Sequence, residues 1–477
     1  MVVVRNVIVC NIIYWLVSIC HCVVCLSFEK RVSKGRASSK AKETNKNKEA
    51  QQQASHENIT LEDLEKKTLR EIYEYARQYK IPYYSQMNKK ELAMAVVRAQ
   101  AEKQGYFFMN GVLEIISHDS YGFLRPINYG PSQEDIYVSA SQISLFGLRN
   151  GDRVAGLARP PRHGEQNYGM MRIDSVNGKA PQEAKNRPHF PALTPIYPDK
   201  QIKLETTSKN ISTRVIDLFA PIGFGQRGLI VAPPNAGKTS LLKAIAGGIS
   251  ANYPDAKLML LLIDERPEEV TDLERTVNGE VIYSTFDQRP ENHVRVAELV
   301  LERAMRLVED KQDVVILLDS LTRLARAYNL VETPSGRTLS GGVDPAALYK
   351  PKKFFGAARN VEEGGSLTIL ATALVDTGSR MDDVIYEEFK GTGNQELQLS
   401  RTLAERRIYP AIDLDKSVTR REDLLLSDDI RNAIWKLRRK LMTNDLTQDT
   451  TEVLNMLWKT KNNDEFIQQI SKIKSVK

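Results

Sequence analysis

Gly228-Leu-Ile-Val-Ala232, running into Pro233-Pro-Asn-Ala-Gly-Lys-Thr-Ser240 and then Leu241-Leu-Lys-Ala-Ile-Ala246, is the stretch on which the fold turns. A short apolar run bounded by Pro, Asn and Gly reads as a buried strand, and the apolar residues after Ser240 read as the helix that follows it. Strand, glycine-containing loop and helix in that order make a phosphate-binding loop, with Ala232 standing where the general pattern has its first glycine. Backbone N–H groups at the helix start would cradle phosphate oxygens, Lys238 would reach the β and γ phosphates, and Thr239 would hold Mg2+. A Gly-Lys-Thr triplet alone is common; its flanking strand and helix make it informative.

Two further strands lie downstream. Leu258 to Ile263 runs into Asp264-Glu265-Arg266, and Asp313-Val-Val-Ile-Leu-Leu-Asp319 ends on an acid. The carboxyl ends of parallel strands face the crevice where phosphates bind. Asp319 is therefore expected to coordinate Mg2+, directly or through water, and Glu265 to orient and deprotonate the attacking water. The bland alternative for Glu265 is an ion pair with Arg266 or Arg323. From about Ser212 onward apolar strands alternate with amphipathic helices, so the fold class is α/β, with a mostly parallel sheet covered on both faces.

Upstream of this domain (212–477) the pattern changes. Residues 183–211 form a linker carrying Pro188, Pro191, Pro195 and Pro198. Residues 105–182 hold short strands separated by turn residues, the pattern of a small β-barrel. Tyr121, Phe123 and Arg125 alternate, so they share one face, and Tyr137 joins them from the next strand. Aromatic faces stack nucleic-acid bases and Arg neutralises phosphate, although any one of these residues could equally be ordinary barrel core. Residues 60–104 read as a small helical module, with Thr60 capping a helix through Tyr79 and Asn88, with Glu91, capping a second. A packing or interaction role suits that module.

A chain of 477 residues needs more than one domain. Its net charge of +7 is misleading as a nucleic-acid signal: residues 29–49 hold eight Lys/Arg against three Glu, and with Arg5 they account for all but about one of the seven charges. An RNA site must come from placed residues instead of bulk electrostatics. All four cysteines (Cys10, Cys20, Cys22, Cys25) fall in the first 25 residues, which excludes a disulfide framework, a Cys-based zinc site or a Cys nucleophile in the body. Asn6 to Phe28 is free of Asp, Glu, Lys and Arg and long enough to span a bilayer. Membrane anchor, signal-like segment and an upstream stretch included through a misplaced start codon compete; the last is preferred, because a nucleotide-consuming body belongs in the cytoplasm and the Lys/Asn/Gln/Ala-rich residues that follow have nothing to fold against. Residues 1–59 are set apart on that basis, and no stable membrane association is expected.

Five strings carry a closer resemblance: Ala232-Pro-Pro-Asn-Ala-Gly-Lys-Thr239, Leu262-Ile-Asp-Glu-Arg-Pro-Glu-Glu-Val-Thr271, Asp319-Ser-Leu-Thr-Arg-Leu-Ala-Arg-Ala-Tyr-Asn329, the run from Phe354 to Thr368, and Tyr386-Glu-Glu-Phe-Lys-Gly-Thr-Gly-Asn394. Over residues 60 to 475 the chain resembles the bacterial Rho family of transcription termination factors. That resemblance implies a RecA-like ATPase ring, a homohexamer, with a helical N-terminal module and a cold-shock-like OB barrel. It implies ATP and Mg2+ as ligands, single-stranded RNA as a partner, and 5′-to-3′ movement that releases the transcript from RNA polymerase. The implied ATP contacts are Gly223, Phe224, Gly225, Gln226, Arg227, Gly228, Asn235, Ala236, Gly237, Lys238, Thr239, Ser240, Arg266 and Tyr409, the last stacking on adenine, with Arg407 a supporting contact. Catalysis would rest on Glu265, Lys238, Asp319 and Arg420, the last as an arginine finger reaching the neighbouring subunit. Asn235 stands where relatives frequently have Lys. The implied primary RNA site comprises Ser120, Tyr121, Gly122, Phe123, Leu124, Arg125, Asp135, Ile136, Tyr137, Glu165, Gln166 and Asn167, although Asn167 replaces an aromatic common in relatives. A secondary RNA site in the ring channel would comprise Thr338, Leu339, Ser340, Gly341, Gly342 and Arg380. A rotary or secretion-type ATPase subunit is the rival enzyme, expected to have a glycine-richer loop and no aromatic barrel; an RNA-binding scaffold that holds ATP without turnover is the non-catalytic rival.

Overall fold

The computed structural model describes residues 64, 67–81, 84–87, 89–103, 105–116, 120–441 and 445–472. The expected caps Thr60 and Asn88 and the apolar segment 6–28 lie outside these residues. The first full helix, α1 (Leu69–Gln78), is capped by Thr68, whose side chain accepts from the Glu71 backbone N–H while the Glu71 carboxylate accepts from the Thr68 N–H. Thr68-x-x-Glu71 is a full capping box. α2 (Lys89–Lys103) follows and leads into the barrel. Among the described residues no helix is long and apolar enough to cross a membrane.

Five strands, β1 (Phe107–Ile115), β2 (Gly122–Arg125), β3 (Ile136–Val138), β4 (Arg153–Arg159) and β5 (Tyr168–Val176), close into a barrel in the order β1-β2-β3-β5-β4. α3 (Ala140–Phe146) lies between β3 and β4, and α4 (Pro181–Lys185) follows β5. Period-2 alternation sends Leu113, Leu124, Ile136 and Val138 into the barrel core, leaving Phe123 and Tyr137 outside as cross-strand partners.

The linker contributes a short strand, β6 (Pro195–Ile196), before α5 (Ile211–Phe219) opens the larger domain. There follow β7 (Arg227–Ala232), α6 (Lys238–Asn252), β8 (Lys257–Glu265), α7 (Pro267–Thr276), β9 (Glu280–Thr285), α8 (Pro290–Glu309), β10 (Asp313–Asp319) and α9 (Leu321–Val331). After these come α10 (Tyr349–Gly356), β11 (Arg359–Val361), β12 (Ser366–Leu374), α11 (Arg380–Lys390), β13 (Gln395–Gln398), α12 (Arg401–Glu405) and β14 (Val418–Thr419). Helices α13 (Asp428–Leu441), α14 (Leu446–Trp458) and α15 (Asn463–Lys472) end the described chain. The main sheet runs β14-β13-β7-β12-β10-β8-β9, parallel from β13 to β9. Both faces are buried: Ile230, Ala232, Leu260 and Leu262 join one core, Leu229, Val231, Met259 and Leu261 the other. That is why these strands read as unbroken apolar runs.

The barrel is fastened to this domain by buried polar contacts. Glu309, at the end of α8, takes Arg149 (3.1 Å) and Arg187 (3.2 Å) and accepts from the Phe190 N–H (2.8 Å), while Arg187 also meets Asp152 (2.6 Å). Asn128, between β2 and β3, forms a two-way pair with the backbone of Tyr283 on β9, and Tyr129 donates to Glu280. Buried charges survive only where each is paired, so breaking one side of such a set costs about 3–5 kcal/mol.

Candidate nucleotide and RNA sites

The phosphate loop bends because Gly237 takes φ +91° immediately before Lys238, the first residue of α6. A side chain there would be strained whatever the space, and its Cβ would meet the Tyr409 ring at 3.5 Å. Tyr409 is half exposed and stands over the loop. Lys238 Nζ lies 2.9 Å from Glu265 Oε1 and 2.6 Å from Asp319 Oδ1, so the ends of α6, β8 and β10 converge on one point. Burial opposes the lysine's charge, but Asp319 and Glu265 outweigh it and hold the ammonium above its ordinary range. Burial, followed by the charge of Asp319, pushes Glu265 above the ordinary carboxylate range against the pull of Lys238. A carboxyl of raised basicity suits a general base.

Of the two arginines expected as alternative partners of Glu265, only Arg323 pairs with it, at the long end of ion-pair range. Arg266 is exposed and turns to Glu269 (3.6 Å), while Arg323 Nε stays 3.8 Å from Glu265 and its guanidinium grips the Asp264 carboxylate and carbonyl instead. Thr372 on β12, unmarked in the sequence, donates to Asp319 Oδ1 at 2.7 Å and fixes that carboxylate from the neighbouring strand. Thr239 Oγ1 lies 3.4 Å from Glu269. Among the described residues no group of three or more His, Cys, Asp or Glu side chains could hold a metal alone. Thr239 and Asp319 fit the sparse protein share of a Mg2+ site completed by phosphate oxygens.

The expected nucleotide contacts split into two groups. Asn235 to Ser240 sit at the C-terminal end of β7, whereas Gly223 to Gly228 sit at its N-terminal end. Strand rise puts those ends roughly 16 Å apart, too far for one phosphate chain in one subunit. Arg420 and Arg421 lie with the second group, lining a cavity of about 620 Å3 with Arg227, Arg359, Asn394 and Tyr197.

On the barrel, Tyr121, Phe123 and Tyr137 form one cluster, with ring centroids 5.5 to 6.1 Å apart. Tyr137 is 40% exposed, so the face is open for stacking. Three expectations are corrected. Leu124 and Ile136 are fully buried in the barrel core, because the alternation that exposes Phe123 and Tyr137 turns them inward. Arg125 is not a free phosphate contact: it is buried, bonded to Glu114 (2.6 Å) and Asp135, with its guanidinium 5.1 Å from the Phe123 ring centroid. Its charge is therefore already paired within the barrel. Glu165 is held by Arg159 at 2.5 and 2.9 Å, which with the Arg162 backbone N–H pulls its carboxyl down to about 2. Among the described residues Ser120, Gln166 and Asn167 have no side-chain hydrogen bond or ion pair that fixes them, and Gly122 lets β2 approach the Glu114 carbonyl, 2.8 Å from where a Cβ would sit.

The third expected group is brought together. Ser340–Gly342 forms a short turn, and a Cβ on Gly341 (φ +77°) would lie 2.8 Å from the Arg380 carbonyl, so Thr338 to Gly342 rest directly on the start of α11. Arg326 braces this junction through Asp382 (2.7 Å) and Ser379 (2.9 Å), a support that sequence spacing does not reveal.

Comparison with known proteins matches these regions to three family models: Rho termination factor, N-terminal domain over 63–105; Rho termination factor, RNA-binding domain over 109–182; and the ATP synthase alpha/beta family, nucleotide-binding domain over 212–419. Transcription termination factor Rho of Bacillus subtilis is 63% identical over 408 residues, covering 86% of this chain and 95% of that protein. The Thermotoga maritima protein of the same name is 55% identical over 419 residues (87% and 98%), and that of Pseudomonas aeruginosa 51% over 419 residues (87% and 100%). A type III secretion ATPase structure is a distant likeness, 21% identical over 59% of this chain and 86% of that chain, at a TM-score of 0.49. With its phosphate loop, its aromatic barrel and this identity over nearly the whole length of such relatives, the chain belongs to the Rho transcription termination factor family and is an ATP-hydrolysing, RNA-binding enzyme.

Proposed function

We propose that the protein is a cytoplasmic, homohexameric, RNA-dependent ATPase that uses Mg2+–ATP to move 5′ to 3′ on nascent RNA and so frees the transcript from RNA polymerase. One observation carries this reading: an exposed three-ring stacking face and a phosphate loop backed by Lys238, Glu265 and Asp319 stand in one chain, with the barrel fastened to β9 and α8 of the ATPase sheet. When bound, Mg2+ supplies charge neutralisation at the β and γ phosphates, with Thr239 and Asp319 as its protein ligands. Lys238 moves from the two carboxylates to the phosphates, which leaves Glu265 free to take a proton from the attacking water. Arg420 acts on the neighbouring subunit's nucleotide, so turnover requires assembly. Thr338 to Gly342 and Arg380 contact the RNA threaded through the ring, and Tyr121, Phe123 and Tyr137 stack its bases on the barrel.

The test is the ATPase rate of the full chain with and without cytosine-rich RNA, alongside Lys238→Ala. RNA should raise the wild-type rate severalfold and leave the variant inactive. A wild-type rate indifferent to RNA would favour the rotary or secretion-type reading instead.

A further inference from the structure

The loop that joins β2 to β3 reaches into the ATPase domain. Its base is closed by the ion pair of Arg125 with Asp135, which stand two positions after Phe123 and two before Tyr137, so it is rooted beside the cross-strand pair of the stacking face. Its tip is Asn128 and Tyr129, both left-handed at φ +47° and +55°. Asn tolerates that backbone and Tyr does so only at a cost, so tertiary contacts must hold it. Tyr129 supplies one by burying its ring in a core of the ATPase sheet, with its hydroxyl donating to Glu280 at 2.8 Å. Asn128 supplies the other: its Nδ2 donates to the Tyr283 carbonyl (2.6 Å) and its Oδ1 accepts from the Tyr283 N–H (2.8 Å). β9 is the last strand on that side of the sheet, so its outer backbone groups lack a neighbouring strand, and the Asn128 amide takes the place of one. Two residues on from Tyr283, Thr285 pairs with Glu265 of β8, and the next N–H, of Phe286, donates to the Glu265 carbonyl at 3.2 Å. The register slips there, with Asp264 left out of the pairing at φ +57°. A bulge of this kind re-aims a side chain, and β9 is the strand that holds it.

We propose that Asn128 is a positioning residue for hydrolysis: its two hydrogen bonds tie β9, and through β9 the backbone of Glu265, to the strands that carry the RNA-stacking face. RNA stacked on Phe123 and Tyr137 bears on the base of the loop, and the tip passes the displacement to Tyr283. Strand rise puts Tyr283 only about 7 Å from Thr285, the partner of Glu265, so the route from barrel to catalytic strand end is short. Asn128 itself touches neither nucleotide nor RNA. It acts on the rate through the angle at which the Glu265 carboxylate meets the attacking water. The Glu309 contacts differ in kind, because they fasten the barrel at the C-terminal end of α8 and do not pair with β9.

The inference rests on the ring reading above, and one set of rates tests the two apart. In the full chain, ATPase is measured without RNA and with saturating cytosine-rich RNA, and RNA affinity by filter binding. Asn128→Ala should cut the stimulation by RNA roughly 10-fold, within the usual range for coupling between two sites, and leave the RNA-free rate, the KM for ATP and RNA affinity as in wild type. Asn128→Asp adds a readout that a merely structural role would not move. Its ionised carboxylate accepts from the Tyr283 N–H but meets the Tyr283 carbonyl with no proton to donate, whereas the protonated carboxyl matches the amide. Its stimulation, taken relative to wild type at the same pH, should therefore be low at neutral pH and recover as pH falls. Should Asn128→Ala fail to fold, Asn128→Asp and Tyr129→Phe, which removes only the bond to Glu280, carry the same measurements. Stimulation of Asn128→Ala equal to wild type, an equal loss with and without RNA, a loss confined to RNA affinity, or a pH-independent deficit in Asn128→Asp each overturns the inference and leaves the ring reading standing. A wild-type rate indifferent to RNA sinks the ring reading and this inference with it.

Discussion

The two ends of β7 are opposites in charge. At its C-terminal end Lys238 sits between Glu265 and Asp319, with Thr372 holding the aspartate, so one cation faces two acids. At its N-terminal end Arg227, Arg359 and Arg420 share a cavity without an acid. The first end is acidic around a single lysine, whereas the second gathers arginines; under the ring reading proposed above, the two ends of one strand face different neighbours.

The sharpest attack on the C-terminal end is Lys238→Ala. It removes the phosphate contact and leaves two buried carboxylates together, so ATPase should fall roughly 1,000-fold or more, and unfolding stability should drop by about 3–5 kcal/mol for a broken buried ion set. Steady-state rates and chemical denaturation measure the two effects. Glu265→Gln keeps the shape and removes the base, so turnover should fall about 100- to 10,000-fold while ATP binding, read by fluorescence of a labelled nucleotide, survives. The wild-type rate should also decline as pH falls, with a midpoint above the ordinary glutamate value because burial and Asp319 raise this carboxyl. That acid limb should be missing from Glu265→Gln, and a limb that persists would assign the base elsewhere.

Tyr137→Ala probes the barrel instead. Losing one stacking ring should cost about 1–3 kcal/mol of RNA affinity, measured by filter binding, with kcat unchanged at saturating RNA. Equal loss of kcat would mean that the aromatic face acts within the catalytic cycle. The smallest effect is expected for Thr372→Val, which removes one hydrogen bond from Asp319, worth about 0.5–1.5 kcal/mol. It should raise the Mg2+ concentration needed for half-maximal rate less than about 10-fold, and Thr372→Ser should restore it.

Local strings were the legible part. Strand, loop and helix around Lys238 form as read because every residue of that motif is adjacent in sequence, and Asp319 and Glu265 end their strands as the apolar runs require. The aromatic face was legible through alternation; the same alternation buries Leu124 and Ile136, which a contiguous motif had swept into the RNA site. The pairing of Arg125 is not legible in the sequence because Glu114 and Asp135 approach it from β1 and from the loop before β3. The group Gly223 to Gly228, an ATP contact only by resemblance, lies at the opposite end of β7 from the phosphate loop, a separation that no motif string shows. Thr372 and the Asn128–Tyr283 pair left no trace in the motifs, and the string that contains Arg326 gave no sign of its partners, since each acts across elements distant in the chain.

By itself the sequence determined that there is a nucleotide loop, a barrel with stacking rings and a sheet buried on both faces, because these follow from short-range periodicity and turn chemistry. Only the tertiary structure decided which charges are already spent and which are left unpaired, because that depends on what other elements bring within about 4 Å of each side chain. On that ground Arg125 and Glu165 are paired within the barrel, while Arg227 and Arg359 have no carboxylate partner among the described residues.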